Sequence, residues 1–358
     1  MATKNRAANA AAPVSVTWQE SGFPPYGHIS RDYRLHADQQ AVPPKFKIGG
    51  RPGSAAEWAA YVDREVALMA DFLWPRCDRA TQSWVGMDRA KMEALTRADL
   101  GLMKSLSEKL QLEASFPLPV APPAPTPTAP VPAAEPKPKG LERSHLDLFY
   151  AEDRSARPTL AVYLPKLEAS LLADVDKAVG EWLEGYGDAH IFFKLQFQRP
   201  RPYQMSYLLG IAGDDYVYRF GASAATPSLI SGHSFSGLLV RCGALLDKRL
   251  VIERQLHGLA AMKQYMADIG DRRVFAGVHY PSDNLASWFC ALRLCDHFFS
   301  TAGQDAKDLM WAAISKHSAV YKAMADAVAA DAANPYAEPL RRLQAEADRP
   351  ADPNATVA

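Results

Sequence analysis

The stretch GDRRVFAGVHYPSDN, residues 270–284, reads as the end of one helix, a turn and the start of another. Arg273 suits a last helical turn, where the macrodipole favours a cation. Gly277 lets the chain reverse, and Pro281 suits a first turn, where no amide partner is needed. The same helical text continues on both sides. Upstream lie SFSGLLVRCGALLDKR (234–249) and ERQLHGLAAMKQYMADIG (253–270). Downstream lie PSDNLASWFCALRLCDHFF (281–299) and DLMWAAISKHSAVYKAMADAVAA (308–330). Alternating strand patterns are scarce and no internal repeat is visible, so the expected class is all-α, a helical bundle.

Further out, LPKLEASLLADVDKAVGEWLEGY (164–186) places Leu167, Leu171, Val175, Val179 and Trp182 on one helical face. FPLPVAPPAPTPTAPVPAAEPKPKG (116–140) carries ten prolines and supports neither helix nor central strand. It reads as a linker or surface excursion; proline-binding modules could dock on it, and a plain spacer is the simpler role. Before it, residues 54–115 hold two helices. The first is opened by Ser54, with Ala55, Trp58, Val62, Val66 and Met69 at helical spacing. The second carries Met92, Leu95, Leu100, Met103, Leu106 and Leu110. Residues 1–53 read as an irregular extension, 141–333 as the main bundle and 334–358 as a flexible tail. Helices 54–74 and 87–113 are expected to pack on that bundle.

Composition excludes several classes. Lys+Arg and Asp+Glu stand at 40 each, which leaves no net field to recruit nucleic acid or anionic membrane. The N-terminus lacks the apolar run of a secretory signal. The most apolar stretches are interrupted by Arg241 and Arg293, too soon for the ~18 apolar residues of a membrane helix. Cys77, Cys242, Cys290 and Cys295 form no C-x-x-C pair. Cys290 and Cys295 would point about 140° apart on a helix, so they read as buried thiols of a cytoplasmic protein.

Three short segments could carry chemistry. KLQFQRPRPY (194–203) sets Lys194 and Arg201 about two turns apart, nominally on one face, where two cations are costly without an anion. A solvated basic helix end is the plain alternative. PSLISGHSFSG (227–237) puts Ser231, Gly232 and His233 at a helix start, where backbone N–H groups and the dipole favour an anion. His233 could exchange a proton there; an N-cap serine beside an incidental histidine is the alternative. In the third segment His279 stands at the chain reversal, and Asp283, four residues on, can accept from one ring nitrogen. The other nitrogen's lone pair is then free to attack. An early-helix carboxylate favouring the dipole is the bland role for Asp283.

Combined, the three segments supply three cations (Lys194, Arg201, Arg273), a hydroxyl and an amide (Ser231, Gly232), and two histidines. Phosphoryl transfer needs that inventory: charge neutralisation, an in-line nucleophile and an acid for the leaving group. The remaining histidines (28, 36, 145, 190, 257, 297 and 317) show no metal spacing. Asp214, Asp215, Tyr216 and Tyr218, between the first two segments, could shape substrate entry or simply pack a connection.

The order K-x6-R-P, S-G-H and R-x5-H-x3-D resembles the superfamily of type 2 phosphatidic acid phosphatases, soluble bacterial class A acid phosphatases and vanadium-dependent haloperoxidases. The likeness covers residues of about 190 to 290 and implies that superfamily's helical bundle. It implies His279 as nucleophile, Asp283 as its orienter and His233 as general acid. Lys194, Arg201, Ser231, Gly232 and Arg273 would bind phosphate, and no metal or other cofactor is required. The implied partner is a small-molecule phosphate ester, and a homodimer is a fair expectation for such soluble enzymes. Two positions depart from the family text: Ile230 replaces proline before Ser231, and Arg272 replaces serine before Arg273. Arg272 would add a cation near the pocket or at its rim, where it could alter substrate preference, or simply face solvent, the simpler role. The motif text around Lys194 is closer to the acid phosphatases, and no histidine follows His233 until His257, unlike bromide-using haloperoxidases. A vanadate-holding haloperoxidase is therefore the runner-up, and a non-enzymatic anion-binding scaffold the third reading.

Overall fold

The computed structural model describes residues 41–78, 83–84, 88–111, 145, 148–149, 152, 160–202, 205, 226–352 and 354. A small antiparallel hairpin, β1 (Lys47–Ile48) and β2 (Arg51–Pro52), lies within the region expected to be irregular. Ser54 then opens α1 (Ala55–Phe72) through a capping box. Its hydroxyl accepts from the Glu57 amide at 3.2 Å and the Glu57 carboxylate accepts from the Ser54 amide at 2.8 Å. Trp58, Val62, Val66 and Met69 are buried as their spacing predicts, while Ala55 is exposed. A second hairpin, β3 (Cys77–Asp78) with β4 (Ser83–Trp84), precedes α2 (Arg89–Gln111). The proline-rich run lies outside the described residues, as does the loop with Asp214, Asp215, Tyr216 and Tyr218.

The helices that follow are α3 (Leu160–Tyr163), α4 (Ala169–Tyr186), α5 (Ala189–Phe197), α6 (Gly232–Asp247), α7 (Arg249–Ile252), α8 (Gly258–Phe275) and α9 (Pro281–Phe298). They are succeeded by α10 (Gly303–His317), α11 (Ala319–Ala330) and α12 (Ala337–Asp348). The fold is all-α. α9 is buried along most of its length and packs against α2, α6, α10 and α12, which explains why apolar residues occur around its whole circumference. α6 packs between α4, α8 and α9. The N-terminal helices contact this core: Trp58 lies edge-on to Phe193 at 6.1 Å, and Phe72 lies edge-on to Phe289 at 5.3 Å. All four cysteines are buried free thiols. Among the described residues no helix is long and apolar enough to cross a membrane.

Two expectations are corrected. Residues 308–330 form two helices, not one, because Ser318 breaks the run and caps α11 by accepting from the Tyr321 amide at 3.0 Å. Much of the segment 334–358, expected as a flexible tail, is α12 seated on the bundle. Leu343 is fully buried there, and Glu346 accepts from Arg293 and from Lys307, both at 2.9 Å. Tyr336 Oη donates to Asp99 at 2.8 Å. The sequence hides this because α12 carries few apolar residues and docks largely through charges on other helices. Leu343→Ala is expected to cost about 3 kcal/mol of unfolding free energy, a buried Leu truncation; urea denaturation checks it, and a frayed segment would show no cost.

Candidate active site

Lys194 lies in the last turn of α5, whose helix ends at Gln198 in a left-handed conformation (φ 52°). The two-turn spacing on one helical face therefore does not apply to Lys194 and Arg201. The chain leaves the helix, and residues 199–201 run beside residues 226–228: the Ser228 amide donates to Arg199 O at 2.8 Å, and its hydroxyl to Pro200 O at 3.1 Å. That pairing brings both cations to the same place. Lys194 Nζ donates to the carbonyls of Pro227 and Ser228, the latter at 3.1 Å. Arg201 donates to Thr226 O at 2.7 Å and to Val278 O at 2.5 Å. Both side chains are buried.

Ser231 caps α6, its hydroxyl oxygen accepting from the Ser234 amide at 3.3 Å. The hydroxyl hydrogen remains a donor, so capping and anion binding are compatible. Ser287 Oγ, on α9, donates to Ser231 O at 3.0 Å and fixes this helix start against α9. Gly232 is the first helical residue. A Cβ there would lie 2.4 Å from His190 Cδ2, so glycine is what permits the imidazole of His190 to lie against the backbone. His233, on the first turn, is half-buried.

The third segment folds as its text predicts. Arg272 and Arg273 close α8, Gly277 adopts φ 74°, and Pro281 is the first residue of α9. The Arg273 carbonyl accepts from the amides of Val278 at 3.1 Å and His279 at 3.2 Å, which ties the turn to the helix it leaves. Asp283 Oδ2 accepts from the Tyr280 amide at 3.1 Å and lies 3.0 Å from His279 Nδ1. His279 Nε2 lies 2.9 Å from Arg201 Nη1. A guanidinium only donates, so Nε2 carries the lone pair and Nδ1 the proton, which goes to Asp283.

Burial holds His279 well below the ordinary histidine value, and the charges of Arg201, Lys194 and Arg273 push it further down. This depression and the Arg201 donor facing Nε2 both favour the neutral imidazole. Burial pushes Asp283 upward, against the pull of Arg199, the Tyr280 amide, Lys194 and Arg201. Arg199, the Tyr280 amide and His279 all donate to its oxygens, so the carboxylate is the form this site holds. Lys194 is driven well below its ordinary value by burial and by Arg201, with Asp283 opposing.

Arg272 does not face solvent, as one reading had it, but lies buried beside Arg273. It is fully buried, with Nε 3.1 Å from Glu152 Oε2 and Nη1 donating to Tyr163 Oη at 2.6 Å. Arg273 Nη2 donates to the same Glu152 Oε2 at 3.4 Å and its guanidinium lies 4.4 Å from the Phe149 ring. Adjacent arginines thus share one carboxylate that lies 120 or more residues away in sequence, beyond the reach of local pattern. Reasoning from sequence also missed Arg199, Asp99 and Ser282; the doubled R-P-R-P was the one available signal, for Arg199. Direct hydrogen bonds join Arg201, His279 and Asp283. The 227–228 carbonyls carry Lys194, and the His279 amide connects Arg273 to the same turn.

Comparison with protein-family models, with curated proteins and with solved structures returned no match to this chain. The geometry of the site is its own: an imidazole with Nδ1 on Asp283 and Nε2 facing the buried Arg201 guanidinium, with Lys194 held on the neighbouring 227–228 carbonyls.

Proposed function

We propose that this protein hydrolyses phosphomonoesters by double displacement through a phosphohistidine on His279, as a member of the type 2 phosphatidic acid phosphatase and vanadium haloperoxidase superfamily. The observation that carries the reading is the chain Arg201–His279–Asp283, which fixes the tautomer and points Nε2 at a buried cation. In the first step Arg201 turns its N–H from Nε2 to a phosphoryl oxygen, and Lys194 and Arg273 take the other oxygens with Ser231 and the Gly232 amide. Nε2 attacks phosphorus in line; the bond to the leaving oxygen breaks with its electron pair, and His233 protonates that oxygen. Asp283 offsets the positive charge that develops on the ring. In the second step His233 takes a proton from water, which displaces His279 and releases phosphate.

Purified protein offered a chromogenic phosphomonoester is expected to release phosphate, with an acid limb of kcat/KM below pH 6.5. The sign follows from His279: its folded value is depressed, so Nε2 keeps its lone pair at pH values where an ordinary histidine is protonated. Halogenation from vanadate, peroxide and bromide without ester hydrolysis would overturn the reading in favour of the haloperoxidase. Phosphate binding without either activity would favour the scaffold.

A further inference from the structure

Arg199 is fully buried, held between the faces of Trp74 at 4.2 Å and Tyr280 at 3.9 Å from its guanidinium carbon. Its Nη1 donates to Ser282 Oγ at 2.7 Å and to Asp283 Oδ1 at 3.0 Å, and its Nη2 to Asp99 Oδ2 at 2.8 Å. Asp99, on α2, in turn accepts from the Ser282 amide at 3.0 Å, from Ser282 Oγ and from Tyr336 Oη at 2.8 Å. Arg199, Asp99 and Asp283 are fully buried, and the two carboxylates meet different nitrogens of one guanidinium.

The geometry points to Arg199 and Asp99 as positioning residues for His279: Asp99 fixes the Arg199 fork, and the fork turns Asp283 so that Oδ2 meets Nδ1. This rests on the proposed role of His279 and adds that a helix preceding the proline-rich run completes the centre. The fork is what makes arginine suited to the task. Two nitrogens set in one plane can hold two carboxylates at once, whereas lysine is a point charge that satisfies one of them. Without Arg199, Asp283 would keep the Tyr280 amide on Oδ2 but lose the guanidinium on Oδ1. The carboxylate could then rotate, and the imidazole would lose its fixed tautomer.

The test uses the full-length protein with ¹⁵N-labelled histidine, comparing Arg199→Lys and the isosteric Asp99→Asn with the unaltered chain. His279 signals are assigned by their loss in His279→Gln. In the unaltered chain Nδ1 is expected to be protonated and Nε2 bare. In each folded variant the two nitrogens are expected to move toward an averaged pair of tautomers. Hydrolysis of p-nitrophenyl phosphate should show kcat lowered about 10- to 100-fold, the range for partners that orient a reacting group, with KM changed less than about threefold. Should Arg199→Lys fail to fold, Asp99→Asn carries the test alone. Unchanged His279 signals and unchanged kcat in a folded variant overturn the inference. If the unaltered chain hydrolyses no ester, the phosphatase reading fails by itself, and the tautomer signals still decide whether Arg199 and Asp99 hold the ring.

Discussion

His279→Ala is expected to lower kcat for a phosphomonoester by about 10⁵-fold or more, the scale seen when a covalent nucleophile is removed, with the fold retained. Loss of the imidazole removes the atom that forms the bond to phosphorus, and none of the cations and carboxylates around it can replace it. Arg201 and Lys194 are cations, and the oxygens of Asp283 are occupied by donors from Arg199 and the Tyr280 amide. The structure survives because each partner of the ring keeps other bonds. Arg201 retains Val278 O and Thr226 O; Asp283 retains Arg199 and the Tyr280 amide. Steady-state rates beside thermal denaturation separate loss of chemistry from loss of fold. Added imidazole should restore part of the rate by occupying the space the ring has left.

Lys194→Met is expected to act in opposite directions on stability and on activity. Without an anion, Lys194 and Arg201 are neighbouring buried cations, and Lys194 donates to carbonyl dipoles of Pro227 and Ser228. Its depressed folded value means that the unfolded chain binds its proton more tightly, so the folded state is penalised below the ordinary lysine value of 10.5. Methionine of similar volume removes that penalty. In phosphate-free buffer near pH 7 the variant should melt higher than the unaltered chain, with the advantage shrinking as pH rises toward 10.5. Phosphate should reverse the order. At 100 times its dissociation constant it stabilises the unaltered chain by about 2.7 kcal/mol, and the variant by far less. Loss of one buried donor to the phosphoryl oxygens should also lower kcat/KM by about 10³-fold. Melting curves with and without phosphate, beside rates, check both halves. A variant that melts lower without phosphate would show that Lys194 is a structural cation.

Local chemistry explains what was legible beforehand. Ser54 marks a helix start, and Arg273, Gly277 and Pro281 mark an end, a reversal and a start within nine residues. Asp283 sits in the first turn of α9 and His279 just before that helix's N-cap, so their contact is local and needs only the turn that Gly277 and Pro281 mark. The rest depends on contacts that local pattern does not encode. Arg199 meets Asp99 across 100 residues and Arg272 meets Glu152 across 120. Arg272 read as a surface cation because an arginine at a helix end usually is one; its partner decides otherwise. Lys194 and Arg201 were brought together for the wrong reason: helical phase predicted what a left-handed residue and the pairing of 199–201 with 226–228 accomplish. α12 was missed because its charges and the prolines in and around it resemble a frayed end, and because Arg293, Lys307 and Asp99 lie elsewhere in the chain.

The covalent step separates this account from a site that merely binds phosphate. Turnover of a phosphomonoester, quenched in base to preserve phosphohistidine and mapped by mass spectrometry, should place the phosphoryl group on His279, and the label should be absent from His279→Ala. Rapid hydrolysis with no phosphorylated histidine, or with the label on another residue, would contradict it.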